Sequence, residues 1–277
     1  MTKGCRVSTV CSVMKRSRQS YYNAMQTRRR ADIDHQKLSQ LVEPIKRLMP
    51  RLGGRKLRYL LQDQLAENAI KMGRDRFFDW LRKQDLLVRP KRRYAHTTQS
   101  NHRFWVYSNL IKDMEVNAPN KLWVSDITYL RTRQGFCYLA LITDAFSRKI
   151  VGYDVSDSLE LEGCRRALDV AFQTASNLGQ LIHHSDRGIQ YCSNQYTELL
   201  RKKGIKISMA AKGDCYENAL AERVNGILKD EFNLDTTFAS KKDAIQTVHQ
   251  SIYIYNQHRP HWGIDLLTPN QLSLIHI

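Results

Sequence analysis

Leu122-Trp-Val-Ser-Asp-Ile-Thr-Tyr-Leu130 is an apolar run with a carboxylate, Asp126, in its middle. Its β-branched and aromatic residues read as a buried strand. An isolated carboxylate there is costly unless a cation or a hydrogen-bond network compensates it. A second run, Leu181-Ile-His-His-Ser-Asp186, also reads as a buried strand and ends on another aspartate. A third acid, Glu222, follows Asp186 after 35 intervening residues, on a predicted helix. Three acidic groups converging from two strands and a helix make a site for hard divalent cations.

Working outward, strand-like runs at 121–131, 136–145 and 149–156 are separated by turns at Gly135 and Ser147-Arg148. A helix follows at about 159–176, with Asp157 or Ser158 as its cap. Then come a strand at 180–185, a helix at 194–203, a strand at 205–209 and a long helix from about 217. This order describes an α/β fold, a mixed five-stranded sheet with flanking helices. On the last helix, Asn218, Glu222, Asn225 and Lys229 share a narrow stripe, and Leu220, Val224, Ile227 and Leu228 lie opposite. The stripe is therefore expected to face away from the sheet. Taken alone it is an ordinary solvated face; joined to Asp126 and Asp186 it becomes part of a site. Two Mg²⁺ or Mn²⁺ ions roughly 4 Å apart suit such carboxylates, one activating an attacking oxygen and the other stabilising a leaving 3′ oxygen. Lys229, two turns along, is expected to hold a phosphate, with Asn225 beside it on the DNA side.

The chain has 277 residues, 42% hydrophobic and 26% charged, with a net charge of +17. Residues 1–119 hold 26 Lys+Arg against 10 Asp+Glu, and residues 120–277 hold 18 against 17. One end is a polycation and the other is nearly neutral, which suggests a folded module that binds phosphates. Helical spacing recurs over 6–26 with a break around Lys15–Ser20, over His35 to Met49, through Leu57, Leu60, Leu61 and Leu65, and over Arg74 to Lys83. Short Arg-rich helices are compatible with helix-turn-helix modules, and equally with a plain helical bundle. The organisation expected is a basic helical DNA-binding region at 1–95, a linker at 96–119 and a catalytic core at 120–277. Arg92 and Arg93, in Arg89-Pro-Lys-Arg-Arg93, are placed to lie along a phosphate backbone. The six cysteines form no C-x-x-C pair, and no apolar run approaches the roughly 18 residues of a membrane span. Reduced thiols and a cytoplasmic, nucleoid-associated protein are expected.

Several stretches resemble bacterial insertion-sequence transposases of the retroviral-integrase superfamily. They are Trp123-Val-Ser-Asp-Ile-Thr-Tyr129, His184-Ser-Asp-Arg-Gly-Ile-Gln-Tyr-Cys-Ser193, Ser208-Met209 and Gly213-Asp-Cys-Tyr-Glu-Asn-Ala-Leu-Ala-Glu222. Tyr255-Asn256, Arg259-Pro-His261 and Thr268-Pro269 resemble the C-terminal motif of that group. Ser20-Tyr21-Tyr22 and Gly54-Arg55-Lys56-Leu57 resemble its helical DNA-binding region, which marks Arg55, Lys56 and Arg58 as DNA contacts. The resemblance implies a ribonuclease-H-like fold, a DDE metal triad of Asp126, Asp186 and Glu222, and strand cleavage followed by strand transfer. It also implies assembly on DNA as a homo-oligomer and fusion, by frameshifting, to an upstream helix-turn-helix protein. Glu217 and Arg223 depart from the pattern, which usually has Asp and Ser there, and Glu217 is a rival third ligand.

Other residues compete less well. Asp144, ending the second strand, reads as mainly structural or as a support to the site's ligands. His183 and His184 could reach zinc with Cys192 but lack a second ligand pair at the right spacing. His258 and His261 read as a packed turn. Two rival functions stand: a ribonuclease-H-like nuclease without strand transfer, and an inactive remnant that only binds DNA. Leu272-Ser-Leu-Ile-His-Ile277 is the peptide that CTG TCT CTT ATA CAC ATC would encode, a string that resembles the transposon-end adapter of tagmentation libraries. These six residues are expected to be non-native.

Overall fold

The computed structural model describes residues 6–89, 104–112, 114–175, 178–211 and 218–275. Arg92, Arg93, Cys5, Cys215, Glu217, the stretch 96–103 of the expected linker and residues 276–277 lie outside them. Two compact units result: Met1–Leu48 with Leu52–Arg89, and Met49–Arg51 with Pro90–Ile277. Among the described residues no helix is long and apolar enough to cross a membrane.

The first unit is helical: α1 (Val7–Val13), α2 (Arg18–Leu48), α3 (Gly54–Leu60), α4 (Gln62–Glu67) and α5 (Arg74–Lys83). Two of the expected helices are one. α2 runs unbroken through Thr27–Asp34, where good helix formers such as Arg28-Arg29-Arg30-Ala31 continue it without an apolar face that periodicity could detect. Conversely, the helix expected through Leu57–Leu65 divides at Leu61 into α3 and α4. In α5, Phe77, Trp80 and Leu81 are buried, and the Phe77 and Trp80 rings stack at 6.3 Å.

The second unit is built on β1 (Leu122–Thr132), β2 (Gly135–Asp144), β3 (Ile150–Ser156), β4 (Ile182–Ser185) and β5 (Lys206–Met209), in the order β3-β2-β1-β4-β5. The first three are antiparallel; β4 and β5 run parallel to β1. A two-residue strand, β6 (Thr237–Phe238), joins β1 at Arg131–Thr132. The crossovers carry α6 (Leu161–Thr174), α7 (Ile189–Cys192) and α8 (Asn194–Lys202), followed after β5 by α9 (Ala219–Glu231), α10 (Lys241–His258) and α11 (Pro269–Ile275). The cap of α6 is Glu160 rather than Asp157 or Ser158.

One face of the sheet packs on α6, with Trp123, Ala140, Ile142, Val151, Ala167, Leu168 and Ala171 in one buried cluster. Close approach requires Gly152 here: a Cβ on it would lie 2.2 Å from the Ala167 carbonyl oxygen. Trp123 is fully buried, so Trp123→Ala is expected to cost about 3–5 kcal/mol. α11 opens with a capping box. Thr268 N donates to Gln271 Oε1 (2.8 Å) and Gln271 N to Thr268 Oγ1 (3.3 Å), with Pro269 at the first helical position. Gln271 lies inside this helix.

Candidate active site

The site begins where two parallel strands part. β1 and β4 pair from Leu122↔Ile182 to Ser125↔Ser185, and the pairing stops there. The next residues are Asp126 and Asp186. The register therefore sets the two aspartates side by side at the open end of the β1–β4 ladder, at the carboxyl end of a parallel strand. Among the described residues no strand pairs with this edge of β1 from Asp126 until β6 joins at Arg131.

α9 attends this edge. Asn225 Nδ2 donates to Asp126 Oδ2 at 2.7 Å, and Asn218 Nδ2 donates to the Ser125 carbonyl at 3.3 Å. Both amides are buried, 5% and 4% exposed. The polar stripe is thus not the outer face of the helix. Its two asparagines turn inward, Asn218 to the backbone of β1 and Asn225 to the Asp126 carboxylate, while Glu222 stays exposed and Lys229 is half-buried. Both asparagine Oδ1 atoms are buried without a hydrogen-bond partner among the described residues. Buried oxygens left in this state next to carboxylates are acceptors for a hydrated cation or its water.

Electrostatics points the same way. Burial, then the charge of Asp186, pushes the Asp126 carboxyl up to about 7; Asn225 and Ile127 N–H donors oppose this, and Glu222 adds to it. Burial and Asp186 also raise Glu222. A carboxyl raised by burial and by a neighbouring carboxylate would be stabilised in its charged form by a nearby cation. Among the described residues no three His, Cys, Asp or Glu side chains form a closed ligand cage, so the acids sense one another without meeting. Asp186 Oδ1 accepts from Gly188 N at 2.9 Å, and a Cβ on Gly188 would crowd that oxygen at 3.0 Å. Lys229 Nζ lies 4.6 Å from the Tyr129 ring centroid. Burial lowers its pKa, and Asp126 opposes that.

Beneath the aspartates the strands are pinned together. His183 Nε2 is 2.8 Å from Ser125 Oγ and 3.0 Å from Tyr196 Oη. Burial drives its pKa down to about 3, so the ring is neutral. His184 Nδ1 is 2.8 Å from Ser208 Oγ, which accepts from Leu110 N at 2.9 Å. Both histidines serve strand-to-strand hydrogen bonds, and Cys192 Sγ lies 3.5 Å from Met209 Sδ. Asp144 accepts from Asn120 N, Ser147 N and Ser147 Oγ and closes the turn after β2.

Two expected DNA contacts change character. Asn225 is spent on Asp126, and Lys56 is 9% exposed, which leaves little of either for a phosphate. Arg58 is half-buried, whereas Arg55 is exposed. The inward role of Asn218 and Asn225 was missed because a helical wheel gives relative faces and not which one meets the sheet. A buried Asn pair seven residues apart was the available sign.

A mixed sheet of this order with flanking helices is the ribonuclease-H-like integrase fold. Residues 116–215 and 203–269 match two families, each described as "Integrase core domain". The chain is 37% identical over 265 residues to the insertion element IS600 uncharacterized 31 kDa protein of Shigella sonnei, covering 94% of this chain and 96% of that protein. It is 30% identical over 272 residues to the transposase InsF for insertion sequence IS3A of Escherichia coli (strain K12), covering 96% and 93%. Among solved structures it is similar to the HTLV-2 integrase catalytic core domain in complex with magnesium, at 22% identity and TM-score 0.43, covering 56% of this chain and 97% of that one. The chain belongs to the bacterial insertion-sequence transposases of the retroviral-integrase superfamily, whose work is DNA transposition.

Proposed function

We propose that this transposase cuts and joins DNA strands with two divalent metal ions, Mg²⁺ or Mn²⁺, held by Asp126, Asp186 and Glu222. The observation that carries the reading is the Ser125↔Ser185 register, which leaves Asp126 and Asp186 adjacent at the open edge of β1. When bound, the ions would supply Lewis-acid activation of the attacking oxygen and stabilisation of the leaving 3′ oxygen. The chain's own residues do the rest. Asn225 orients Asp126, and the Gly188 N–H orients Asp186. The orphaned Asn225 and Asn218 oxygens can take hydrogen bonds from ordered water. Lys229, held over Tyr129, offers its amine to a phosphate. Burial and the charge of Asp186 raise both Asp126 and Glu222, and nearby positive charge would oppose that shift.

The first reaction is hydrolytic nicking, and the second is attack of the freed 3′-hydroxyl on another phosphodiester. No covalent protein–DNA intermediate is needed. The basic residues before position 120, with Arg55, Arg92 and Arg93 among them, hold element-end and target DNA, and the protein works as a homo-oligomer on DNA in the nucleoid. Fusion to an upstream-frame helix-turn-helix protein rests on the resemblance alone.

The test is a cleavage and joining assay with Mg²⁺ on DNA carrying the element ends. Asp126→Asn, Asp186→Asn and Glu222→Gln each abolish cleavage and leave DNA binding intact, while Glu217→Gln retains activity. A Glu222→Gln variant as active as wild type defeats the assignment. Cleavage without a joined product reduces the protein to a nuclease, and binding without cleavage by wild type reduces it to a remnant.

A further inference from the structure

The motif Tyr255-Asn256 with Arg259-Pro-His261 takes no part in the chemistry above, yet its key side chains are buried. Arg259 is 1% exposed. Its Nε donates to Glu231 Oε2 at 2.8 Å and its Nη2 to Glu231 Oε1 at 2.6 Å, a forked pair. Its Nη1 lies 2.9 Å from His261 Nε2 and 3.4 Å from the Pro260 carbonyl oxygen. The Tyr255 ring sits 5.8 Å from the guanidinium carbon and meets His261 edge-on at 4.9 Å. On the far side the motif is tied to the sheet. Tyr255 Oη donates to the Arg148 carbonyl at 3.0 Å, and Asn256 both accepts from Ile150 N and donates to Ile150 O, each at 3.0 Å.

Glu231 is the last residue of α9, the helix that carries Glu222, Asn225 and Lys229. We infer that the Glu231–Arg259 fork is a clamp that sets the roll and axial position of α9, making Arg259 a positioning residue for Glu222. The inference rests on the reading of Asp126, Asp186 and Glu222 as the metal site. Glu222 and Glu231 are nine residues apart, hence roughly 13 Å along the axis and about 180° around it. Asn225 tethers one face of the helix to Asp126 and Glu231 tethers another to the sheet-anchored motif. Two tethers on different faces stop a helix from rolling. The buried Val224, Ile227 and Leu228 cannot do this alone, because apolar contact is non-directional. A planar two-bond fork is directional, and lysine cannot reproduce it. A buried ion pair is also weak evidence for stability, since a well-packed apolar pair often serves as well. That weakness makes a geometric role the better account of its presence.

The experiment uses the full chain and compares Arg259→Lys, the double variant Glu231→Leu/Arg259→Met, and Glu222→Gln with wild type. Melting temperature, Mn²⁺ affinity by calorimetry and Mg²⁺-dependent cleavage are read together. The double variant should melt within a few degrees of wild type. Its Mn²⁺ affinity should fall about tenfold or more, as when groups supporting metal ligands are lost. Cleavage should fall about tenfold to a hundredfold, the scale of a remote misplacement near 1 Å. Arg259→Lys should fall between. Unchanged Mn²⁺ affinity and rate in a folded double variant, with Glu222→Gln losing both, overturns the clamp alone. If the double variant does not fold, Arg259→Lys decides in the same way. A Glu222→Gln protein that keeps Mn²⁺ affinity and rate overturns the metal-site reading and the clamp's role with it.

Discussion

Asp126 and Asp144 sit on neighbouring strands of one sheet, and burial raises the carboxyl of each. Their surroundings differ. At the turn after β2, Asp144 is 1% exposed and accepts three hydrogen bonds, from Asn120 N (2.9 Å), Ser147 N (2.8 Å) and Ser147 Oγ (2.6 Å). At the open edge of β1, Asp126 accepts from Asn225 Nδ2 and from the N–H of its neighbour Ile127, and faces the like charges of Asp186 and Glu222. The first region closes a turn around an acid that accepts three hydrogen bonds. The second gathers negative charge without closing around it. A buried acid is thus diagnostic of a cation site only when its neighbours are also acids and its donors are too few.

The comparison breaks most visibly in activity. Asp126→Asn should abolish metal-dependent cleavage, whereas Asp144→Asn should keep wild-type activity per folded molecule. In the absence of metal, Asp126→Asn should melt at or above the wild-type temperature, because it removes a repelled charge. Cleavage assays normalised to the folded fraction by circular dichroism check this. An inactive but folded Asp144→Asn protein would move Asp144 from the turn into the site.

The next effect is on stability and falls on the other side. Asp144→Asn removes a charge-assisted acceptor and leaves buried donors short, at a cost of about 1–3 kcal/mol. Urea unfolding of the metal-free proteins measures it. The contrast fails if Asp126→Asn loses more stability than Asp144→Asn.

Much of this contrast was legible before the structure. Asp126 stood out because a carboxylate interrupts a strand whose neighbours are apolar on both sides, and the strand boundaries around it needed only local alternation and turn residues. The register could not be read. Whether Ser125 meets Ser185 or a residue two positions away depends on parallel pairing across 59 intervening residues. That pairing is a non-local contact, which local preference does not set. The stripe on α9 was visible as a stripe, but its orientation depends on hydrogen bonds to a distant strand, from Asn218 to Ser125 and from Asn225 to Asp126. Arg259 and Glu231 are separated by 27 residues and meet only because α10 folds back along the sheet. The cap of α11, Thr268 followed three residues later by Gln271, went unread although its capping-box spacing is local.

The smallest effect sharpens the comparison through pH. The folded Asp126 carboxyl titrates at about 7, above its unfolded value, so folding favours its protonated form. Its contribution to stability is fully present below about 4, the ordinary aspartate range, and is lost as the pH rises to about 7. Asp144 is raised as well and adds a slope of the same sign, but that slope is shared by wild type and Asp126→Asn and cancels between them. The melting temperature of Asp126→Asn minus that of wild type, without metal, should therefore grow between about pH 5 and 7 and then level off. Saturating Mg²⁺ should raise the wild-type melting temperature at pH 7 and leave the variant unmoved, because a ligand stabilises only the state that binds it. A difference that stays flat across the pH range, with Mg²⁺ stabilising both proteins equally, would place Asp126 beside Asp144 as a structural acid.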